Sequence, residues 1–203
     1  MCAKRALICG VSGQDGAYLA ELLLAKGYQV FGSSRDAQTA SFRNLEFLNI
    51  RDRVACESMA PNDFRSVLQV LTKVEPDEIY NLAGQSSVGL SFEQPVETME
   101  SIAIGTLNLL EGMRFLGSSA KLYNAGSSEC FGNTGSHPAD ENTPFRPRSP
   151  YAVAKAAAES GVAERPITDF EAYRQSLTRF VYQTGMIMRP VFDAAKSAPT
   201  KRR

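Results

Sequence analysis

Tyr151 and Lys155 stand four positions apart in a stretch that the sequence predicts to be helical. Residues at i and i+4 of a helix share a face, so the lysine ammonium can sit beside the phenol oxygen. A cation there stabilises the phenolate and lowers a tyrosine pKa that is otherwise about 10, so the tyrosine can act as a base near neutral pH. Many helices contain this spacing by chance, so the interpretation depends on what accompanies the pair.

A hydroxyl and a carboxylate accompany it. Ser127 and Glu129 follow the apolar run Lys121–Ala125, which predicts a short strand. The carboxyl ends of parallel strands line the ligand crevice, so this strand delivers both side chains to that edge. The sequence therefore predicts four catalytic residues: Ser127, Glu129, Tyr151 and Lys155. The alternative is that Ser127 and Glu129 only cap the strand end and point at water.

A glycine turn near the N-terminus predicts a phosphate-binding site. The apolar run Ala6–Cys9 is typical of a buried parallel strand, and a helical pattern over Ala17–Lys26 follows it and stops at Gly27. Strand, turn and helix together direct backbone N–H groups and the positive helix end at a pyrophosphate. The residues predicted to hold it are Gly10, Gly13, Gln14, Asp15 and Gly16. The alternative is a tight turn used only for packing.

The second predicted strand, Tyr28–Gly32, arrives where a βαβ unit requires it and is followed by Ser33-Ser34-Arg35-Asp36. An acid about 20 residues past the glycines holds the ribose 2′-OH of NAD, whereas an arginine accommodates the 2′-phosphate of NADP. Both residue types are present here. Arg35 comes first and two small serines leave room beside it, so the sequence favours NADP. The alternative is that Arg35 is a solvated loop charge.

The remaining pattern predicts a doubly wound parallel sheet, the α/β Rossmann architecture that binds NAD(P). Further strands are predicted at Val54–Cys56 and Glu78–Ala83, a helix at Phe64–Val74 and one long helix at Val96–Phe115. Helix Phe64–Val74 is expected to be capped by Asn62 or Asp63 and to turn Leu68, Val70, Leu71 and Val74 to the sheet.

Two details of this pattern concern the ligand crevice and the packing of the sheet. Small residues after the fourth strand admit a cofactor ribose, and the cofactor-contacting residues predicted there are Leu82, Ala83 and Gln85. Gly105 and Thr106 within the long helix predict that it packs closely on the sheet.

The composition is ordinary for a soluble globular protein, with 43% hydrophobic and 22% charged residues. The 22 basic and 22 acidic residues balance, so no global field argues for nucleic acid or membrane as a partner. Four scattered cysteines and one histidine predict no metal site and suit a reducing cytoplasm. No stretch has the length of a membrane span or a secretory signal.

Residues 4–157 resemble the extended short-chain dehydrogenase/reductase superfamily and, within it, the GDP-mannose 4,6-dehydratase family. The superfamily likeness is carried by Gly10-x-x-Gly13-x-x-Gly16, Asn81-Leu82-Ala83, Ser127-Ser128-Glu129 and Tyr151-x-x-x-Lys155. The closer likeness is carried by Gly13-Gln14-Asp15-Gly16-Ala17-Tyr18, Pro76-Asp77-Glu78-Ile79-Tyr80-Asn81 and Pro147-Arg148-Ser149-Pro150-Tyr151-Ala152-Val153-Ala154-Lys155. Sugar epimerases of the superfamily usually lack the glutamate equivalent to Glu129, and dTDP-glucose dehydratases carry an Asp-Glu pair there.

The resemblance implies a reaction that converts GDP-mannose to GDP-4-keto-6-deoxymannose and water, with transient hydride storage on NADP. Tyr151 would take the C4 hydroxyl proton, Glu129 would remove the C5 proton, and Ser127 would hydrogen-bond the C4 oxygen. Lys155 would lower the tyrosine pKa and hold the nicotinamide ribose. Proteins of the family assemble as dimers or tetramers. Other interpretations are a nucleotide-sugar epimerase or reductase, and an NADP-binding fragment that turns nothing over.

Residues 158–203 are predicted to be an unrelated or aberrant helical tail where the family has its substrate domain. Gly161 and Pro166 are expected to end the tyrosine helix within two turns of Lys155. From about residue 153, the chain resembles the inter-domain segment of hybrid NADP-dependent malic enzymes. A natural fusion, a frameshift and an assembly seam all remain open, and the chain is expected to have little activity.

Overall fold

The computed structural model of this chain describes residues 3–135 and 138–163. Its described part contains one five-stranded sheet in the order β3-β2-β1-β4-β5. Every neighbouring pair of strands is parallel. The strands are β1 (Arg5–Cys9), β2 (Gln29–Ser34), β3 (Val54–Ser58), β4 (Glu78–Asn81) and β5 (Lys121–Asn124). This confirms the predicted doubly wound parallel sheet.

The strand order reverses beside β1. The chain adds β2 and β3 on one side of β1 and then returns to add β4 and β5 on the other side. In register, Leu7 of β1 lies beside Phe31 of β2 and Ile79 of β4. A strand that is buried on both faces requires the continuous apolar run found in β1. Open α/β sheets bind ligands at the carboxyl ends of the strands on either side of such a reversal.

Helices connect the strands and cover the sheet. They are α1 (Gln14–Ala25), α2 (Arg43–Phe47), α3 (Phe64–Val74), α4 (Val88–Glu93), α5 (Pro95–Met99), α6 (Gly105–Phe115) and α7 (Pro150–Ala163). Short 3₁₀ turns occupy Arg51–Arg53 and Ser128–Phe131, and a π-helical segment occupies Glu100–Ile104. No helix in the described part of the chain is long and apolar enough to cross a bilayer.

Helix α3 has the bounds that the sequence predicts. Asp63 caps it, because its carboxylate accepts a hydrogen bond from the backbone N–H of Arg65 at 3.0 Å. The buried face consists of Val67, Val70, Leu71 and Val74, which pack with β1 and β4 and with Leu109 of α6. The prediction for Leu68 is wrong, since this side chain is only partly buried and Val67 takes its place in the core.

The prediction of one helix over Val96–Phe115 is correct in its span, but the interior of this span is not continuous α-helix. The helical path starts at Pro95 and contains the π-helical segment between α5 and α6. Thr106 is buried against the strand ends, as the sequence predicts. Gly105 instead faces the turn before α3, because a Cβ at this position would lie 2.9 Å from Pro61 Cβ. The glycine therefore allows contact with a loop and not with the sheet.

Helix α7 packs on the π-helical segment through Tyr151, Ala154 and Ala158, which surround Ile102. The expectation that Gly161 ends this helix is wrong, because the helix continues through Gly161 to Ala163. Pro166 and nearly all of the predicted tail, residues 164–203, lie outside the described residues.

Candidate active site

The glycine turn after β1 is too tight for side chains. Gly10 has a φ of +86°, which favours glycine, and its N–H donates to the carbonyl of Ser33 at the end of β2. A Cβ on Gly16 would lie 2.5 Å from the Gly10 carbonyl oxygen. The N–H of Gly13 donates to that same oxygen at 3.1 Å, and Gly13 is the N-cap of α1. The turn therefore presents backbone, and the first N–H groups of α1 have no partners within the helix.

The end of β4 lies directly against this turn. A Cβ on Gly10 would come within 3.1 Å of the Leu82 and Ala83 backbone. Gln85 follows, and its side-chain amide donates to the Ser87 carbonyl at 2.8 Å and to Thr98 Oγ1 at 3.3 Å. The glycine turn and the small residues after β4 thus form one backbone-lined cradle of the kind that a dinucleotide needs.

The charged groups of Arg35 and Asp36 differ in how firmly their neighbours hold them. The Arg35 side chain is 79% exposed and its guanidinium lies 3.1 Å from the Glu97 carboxylate on α5. The Asp36 carboxylate is used inside its own turn, where it accepts bonds from Gln38 N–H and from the N–H and hydroxyl of Thr39. These bonds lower the pKa of Asp36. An exposed ion pair is easily exchanged for another anion, whereas a carboxylate with three internal donors is not.

Ser127 and Glu129 lie immediately beyond β5. Ser127 caps the short 3₁₀ turn, because its hydroxyl oxygen accepts a bond from Glu129 N–H at 3.3 Å. A hydroxyl that accepts one bond still has its proton to donate, so the cap does not exclude a second partner. Glu129 is exposed and lines a cavity of about 430 Å³ together with Ser128 and Arg148.

Tyr151 and Lys155 are both buried, each with 9% of its surface exposed. The Lys155 ammonium donates to the carbonyl oxygen of Ala125, just past β5, at 2.7 Å. The same nitrogen is 5.9 Å from the centroid of the Tyr151 ring. Burial lowers the pKa of Lys155, and the carboxylate of Glu159 acts against that shift. The lysine thus joins α7 to the strand end from which Ser127 follows.

A buried polar network behind these residues was not predicted. Asn81 and Asn124 are the last residues of β4 and β5 and lie opposite each other in register. The Asn81 amide donates to Asn124 Oδ1 at 2.8 Å and to Thr106 Oγ1 at 3.2 Å. Thr106 in turn donates to the carbonyl of Ile102 at 2.8 Å. The pairing of two strands brings these groups together, so no local sequence pattern identifies them.

Glu159 is a further residue of this edge that the sequence did not single out. Its carboxylate accepts a hydrogen bond from the Asn124 amide at 3.3 Å, and burial raises its pKa. It stands four residues after Lys155, so the spacing that singles out Lys155 after Tyr151 also points to Glu159.

All predicted site residues therefore follow the carboxyl ends of the strands or lie on α1 and α7 beside them. The structure brings the glycine turn into contact with the β4 end, and Lys155 into contact with the β5 end. In the described part of the chain, no cluster of His, Cys, Asp and Glu side chains could hold a metal ion.

Comparison with known protein families gives one match of long extent. The family model described as GDP-mannose 4,6 dehydratase matches residues 7–168. The GDP-mannose 4,6-dehydratase of Vibrio cholerae is 46% identical over 159 residues, which cover 75% of this chain and 43% of that protein. GDP-mannose 4,6 dehydratase 1 of Arabidopsis thaliana is 42% identical over 165 residues, covering 76% of this chain and 45% of that protein. The chain thus spans less than half the length of these relatives.

Solved structures of nucleotide-sugar enzymes share the fold. UDP-glucose 4-epimerase of Thermus thermophilus, in complex with NAD, superposes with a TM-score of 0.69 at 32% identity over 78% of this chain and 50% of that one. The dTDP-glucose 4,6-dehydratase DesIV of Streptomyces venezuelae, with NAD bound, superposes with a TM-score of 0.68 at 25% identity over 77% of this chain and 49% of that one.

Proposed function

This chain belongs to the GDP-mannose 4,6-dehydratase family, and on that premise we propose that it is the cofactor-binding portion of an enzyme that converts GDP-mannose to GDP-4-keto-6-deoxymannose and water. One observation carries the proposal. The glycine turn touches the Leu82–Ala83 backbone, β4 is in register with β5, and Lys155 bonds to Ala125 just past β5. The glycine turn and the Tyr–Lys pair therefore belong to the same edge of the sheet, which supports a dinucleotide site there.

The cradle fits an NAD(P) pyrophosphate because Gly10, Gly13 and Gly16 leave backbone, without side chains, at those three positions of the turn. Any side chain on Gly16 would overlap Gly10, so this glycine is required by the turn itself. The residues that would hold the cofactor are Gly10, Gly13, Gln14, Asp15, Gly16, Arg35, Leu82, Ala83, Gln85, Tyr151 and Lys155. Bound NADP would supply a transient acceptor for the hydrogen that leaves C4 of the hexose and later arrives at C6.

NADP rather than NAD is the cofactor in this proposal. Arg35 is exposed and paired only to another exposed side chain, so its guanidinium can turn to a 2′-phosphate at small cost. Turning the Asp36 carboxylate toward a ribose 2′-OH would disturb the three hydrogen bonds that it accepts inside its own turn. The balance of these two costs supports Arg35 as the residue that reads the cofactor.

The catalytic roles follow from the chemistry of four side chains. Tyr151 removes the proton of the C4 hydroxyl, and Ser127 donates a hydrogen bond to the C4 oxygen. Glu129 is an exposed carboxylate beside a cavity, and it removes the C5 proton once C4 is a ketone. Lys155 favours the phenolate by its charge, and a further N–H of its ammonium binds the cofactor ribose beside the bond to Ala125.

The substrate and the assembly are part of the same proposal. GDP-mannose is the nucleotide sugar, and the complete enzyme is a homo-oligomer in the cytoplasm. The described cysteines Cys9, Cys56 and Cys130 are free thiols, which is the state that a reducing compartment maintains. Most of the contacts with the nucleotide sugar are expected from the part of the relatives that residues 1–203 do not match.

Product analysis tests this function. Residues 1–163 are joined to the C-terminal half of the Vibrio cholerae relative, and the fusion is given GDP-mannose and NADP. Mass analysis should find a sugar nucleotide that is lighter by one water, with many turnovers per subunit. An isomer of equal mass, separated by anion exchange, would identify an epimerase. A released product lighter by two hydrogens, with one NADPH formed for each, would identify an oxidoreductase that does not return the hydride, and no product would favour a non-catalytic fragment. Residues 1–203 alone should give no product, because they lack the contacts that orient the hexose.

Two substitutions in the fusion separate the catalytic roles. Tyr151→Phe should leave GDP-mannose unchanged, because the first proton transfer has no base. Glu129→Gln should stop after that step, so that a sugar nucleotide lighter by two hydrogens accumulates to one equivalent per site. Full-rate loss of water by the Glu129→Gln protein would remove Glu129 from the mechanism.

A further inference from the structure

Glu159 has no part in the mechanism proposed above, yet its carboxylate lies at the strand end where that mechanism operates. It stands one helical turn after Lys155 on α7 and is partly buried. Carboxylates avoid burial unless a partner compensates for the lost water, so its contacts require an explanation.

These contacts connect α7 to the sheet. The Asn124 amide donates to Glu159 Oε1 at 3.3 Å, and Asn124 Oδ1 accepts from the Asn81 amide at 2.8 Å. The carboxylate also covers the backbone before Ser127, because a Cβ on Gly126 would lie 2.9 Å from Glu159 Oε1. The Glu159 side chain therefore meets β5 and, through one amide, β4.

The charged and titratable groups around this carboxylate come from three elements. Lys155 lies on the same helix, Cys130 on the 3₁₀ turn and Tyr123 on β5. Burial lowers the pKa of Lys155 and raises that of Glu159, and each charge opposes the shift of the other. Burial and the Glu159 charge both raise the pKa of the Cys130 thiol and the Tyr123 phenol. Lys155 is thus the group that the Glu159 charge favours in its ionised form.

Helix α7 consequently contacts the end of β5 at two positions along the helix axis. Lys155 bonds to the carbonyl of Ala125, and Glu159 accepts from Asn124 one turn farther along. Two attachments on one face, one turn apart, fix both the rotation and the height of a helix. Tyr151 lies one turn before Lys155 on the same face, so its phenol is fixed by the same attachments.

We propose that Glu159 is a positioning residue for the Tyr151–Lys155 pair: it fastens α7 to the end of β5 and places a carboxylate one helical turn from the buried lysine. The inference rests on the proposed function for the role of Lys155 in cofactor binding. The coupling between Glu159 and Lys155 itself needs no cofactor, so it is measured without one.

Competitive acetylation of the 203-residue protein measures this coupling. Acetic anhydride reacts with neutral amines only, so the pH at half-maximal labelling of each lysine, read by peptide mass spectrometry, reports its ionisation. In Glu159→Gln, the Lys155 midpoint should move to lower pH, because the opposing negative charge is gone. The Lys73 midpoint should not move, because its partner is Glu57. A general loss of structure would not shift the midpoint of Lys155 to lower pH and leave that of Lys73 unchanged.

Glu111→Gln is the matched control. This acid lies on α6 and pairs with Arg114, and it is not among the charges that act on Lys155, so its loss should leave the Lys155 midpoint unchanged. An unchanged midpoint in Glu159→Gln, or an equal shift in Glu111→Gln, would overturn the proposal. If Glu159→Gln does not fold, Glu159→Asp decides instead. Aspartate keeps the negative charge but holds it farther from Lys155, because its side chain is shorter by one methylene. The Lys155 midpoint should therefore move to lower pH by a smaller amount, and an unchanged midpoint would overturn the proposal.

NADPH titration then separates this inference from the proposed function. Glu159→Gln should bind NADPH several-fold more weakly than wild type, with the deficit growing as the pH rises toward the lysine midpoint. Loss of affinity by the same factor at every pH would contradict a role through Lys155. Failure of the wild-type protein to bind NADPH would count against the proposed function, while the labelling result would stand.

Discussion

The turn after β1 and the loop after β5 end at the same edge of the sheet, but they are built differently. The first is backbone, and glycine at position 16 is imposed by a 2.5 Å approach to the Gly10 carbonyl. The second is a set of side chains, in which Lys155, Glu159 and Asn124 hold the strand end by charge and hydrogen bonds. A backbone site either forms or does not, whereas a side-chain site is adjustable in strength and in pH dependence.

The largest effect is expected in the backbone site. Gly16→Ala puts a Cβ against Gly10 and forces the β1–α1 turn to shift, at a cost of about 2 kcal/mol of stability or more. NADP binding should be lost with it. Gly89→Ala on α4 is the control, because its Cβ meets nothing closer than Ser87 Oγ at 3.9 Å. Urea unfolding and NADP titration measure both effects, and a Gly16→Ala protein of wild-type stability and affinity would contradict the cradle.

The side-chain site should lose stability by an intermediate amount. Asn124→Ala removes the partner of the Asn81 amide and of the Glu159 carboxylate, and unsatisfied buried polar groups cost about 1–3 kcal/mol. Asn142→Ala, in the exposed loop before α7, is the control and should change little. Equal unfolding midpoints for the two variants in urea would show that the buried network does not stabilise the fold.

A smaller and selective effect is expected for Arg35→Ala. Loss of a charge-assisted contact with the 2′-phosphate should weaken NADP binding by roughly tenfold or more, with NAD affinity nearly unchanged. Glu97→Gln is the companion variant, because it frees Arg35 from its ion pair and should at least preserve NADP affinity. Calorimetric titration of both cofactors decides the matter, and equal losses for NADP and NAD would exclude Arg35 as the discriminating residue.

The smallest effect concerns alkaline pH. Burial raises the pKa of the Cys9 thiol to about 12. As the pH rises, the thiol therefore ionises at a lower pH in the unfolded chain than in the folded chain. Its contribution to stability is complete below the ordinary thiol pKa and declines as the pH rises through that value toward about 12. Cys9→Ala should therefore flatten the fall of the urea midpoint above neutral pH. An unchanged slope would contradict this assignment.

The sequence predicts the glycine turn well because the cause of the turn is local. Gly10, Gly13 and Gly16 lie within seven residues, and the strand before them and the helix after them have readable periodicity. The α3 cap at Asp63 is local in the same way. Such features can be predicted without knowing which elements pack against them.

The side-chain site is only half predictable because it depends on register and packing. Asn81 and Asn124 are 43 positions apart in the chain and meet only when β4 pairs with β5. The π-helical segment and the contact of Gly105 with Pro61 likewise arise from how α5 and α6 pack, which residue spacing alone does not encode. Glu159 lies within reach of the i+4 rule but beyond residue 157, the limit that the sequence motifs set for the family resemblance, although the family model matches through residue 168.

The proposed function requires that this strand-end edge binds NADP through the glycine turn and Lys155. The protein contains no tryptophan, so the fluorescence of NADPH can be followed without an indole background. NADPH titrations of wild type, Gly13→Val and Lys155→Met, each checked for folding by thermal melting, test it directly. We expect weak, saturable binding by wild type, none by folded Gly13→Val and a reduced affinity for Lys155→Met. Equal affinities for all three folded proteins, or no saturable binding by wild type, would contradict it.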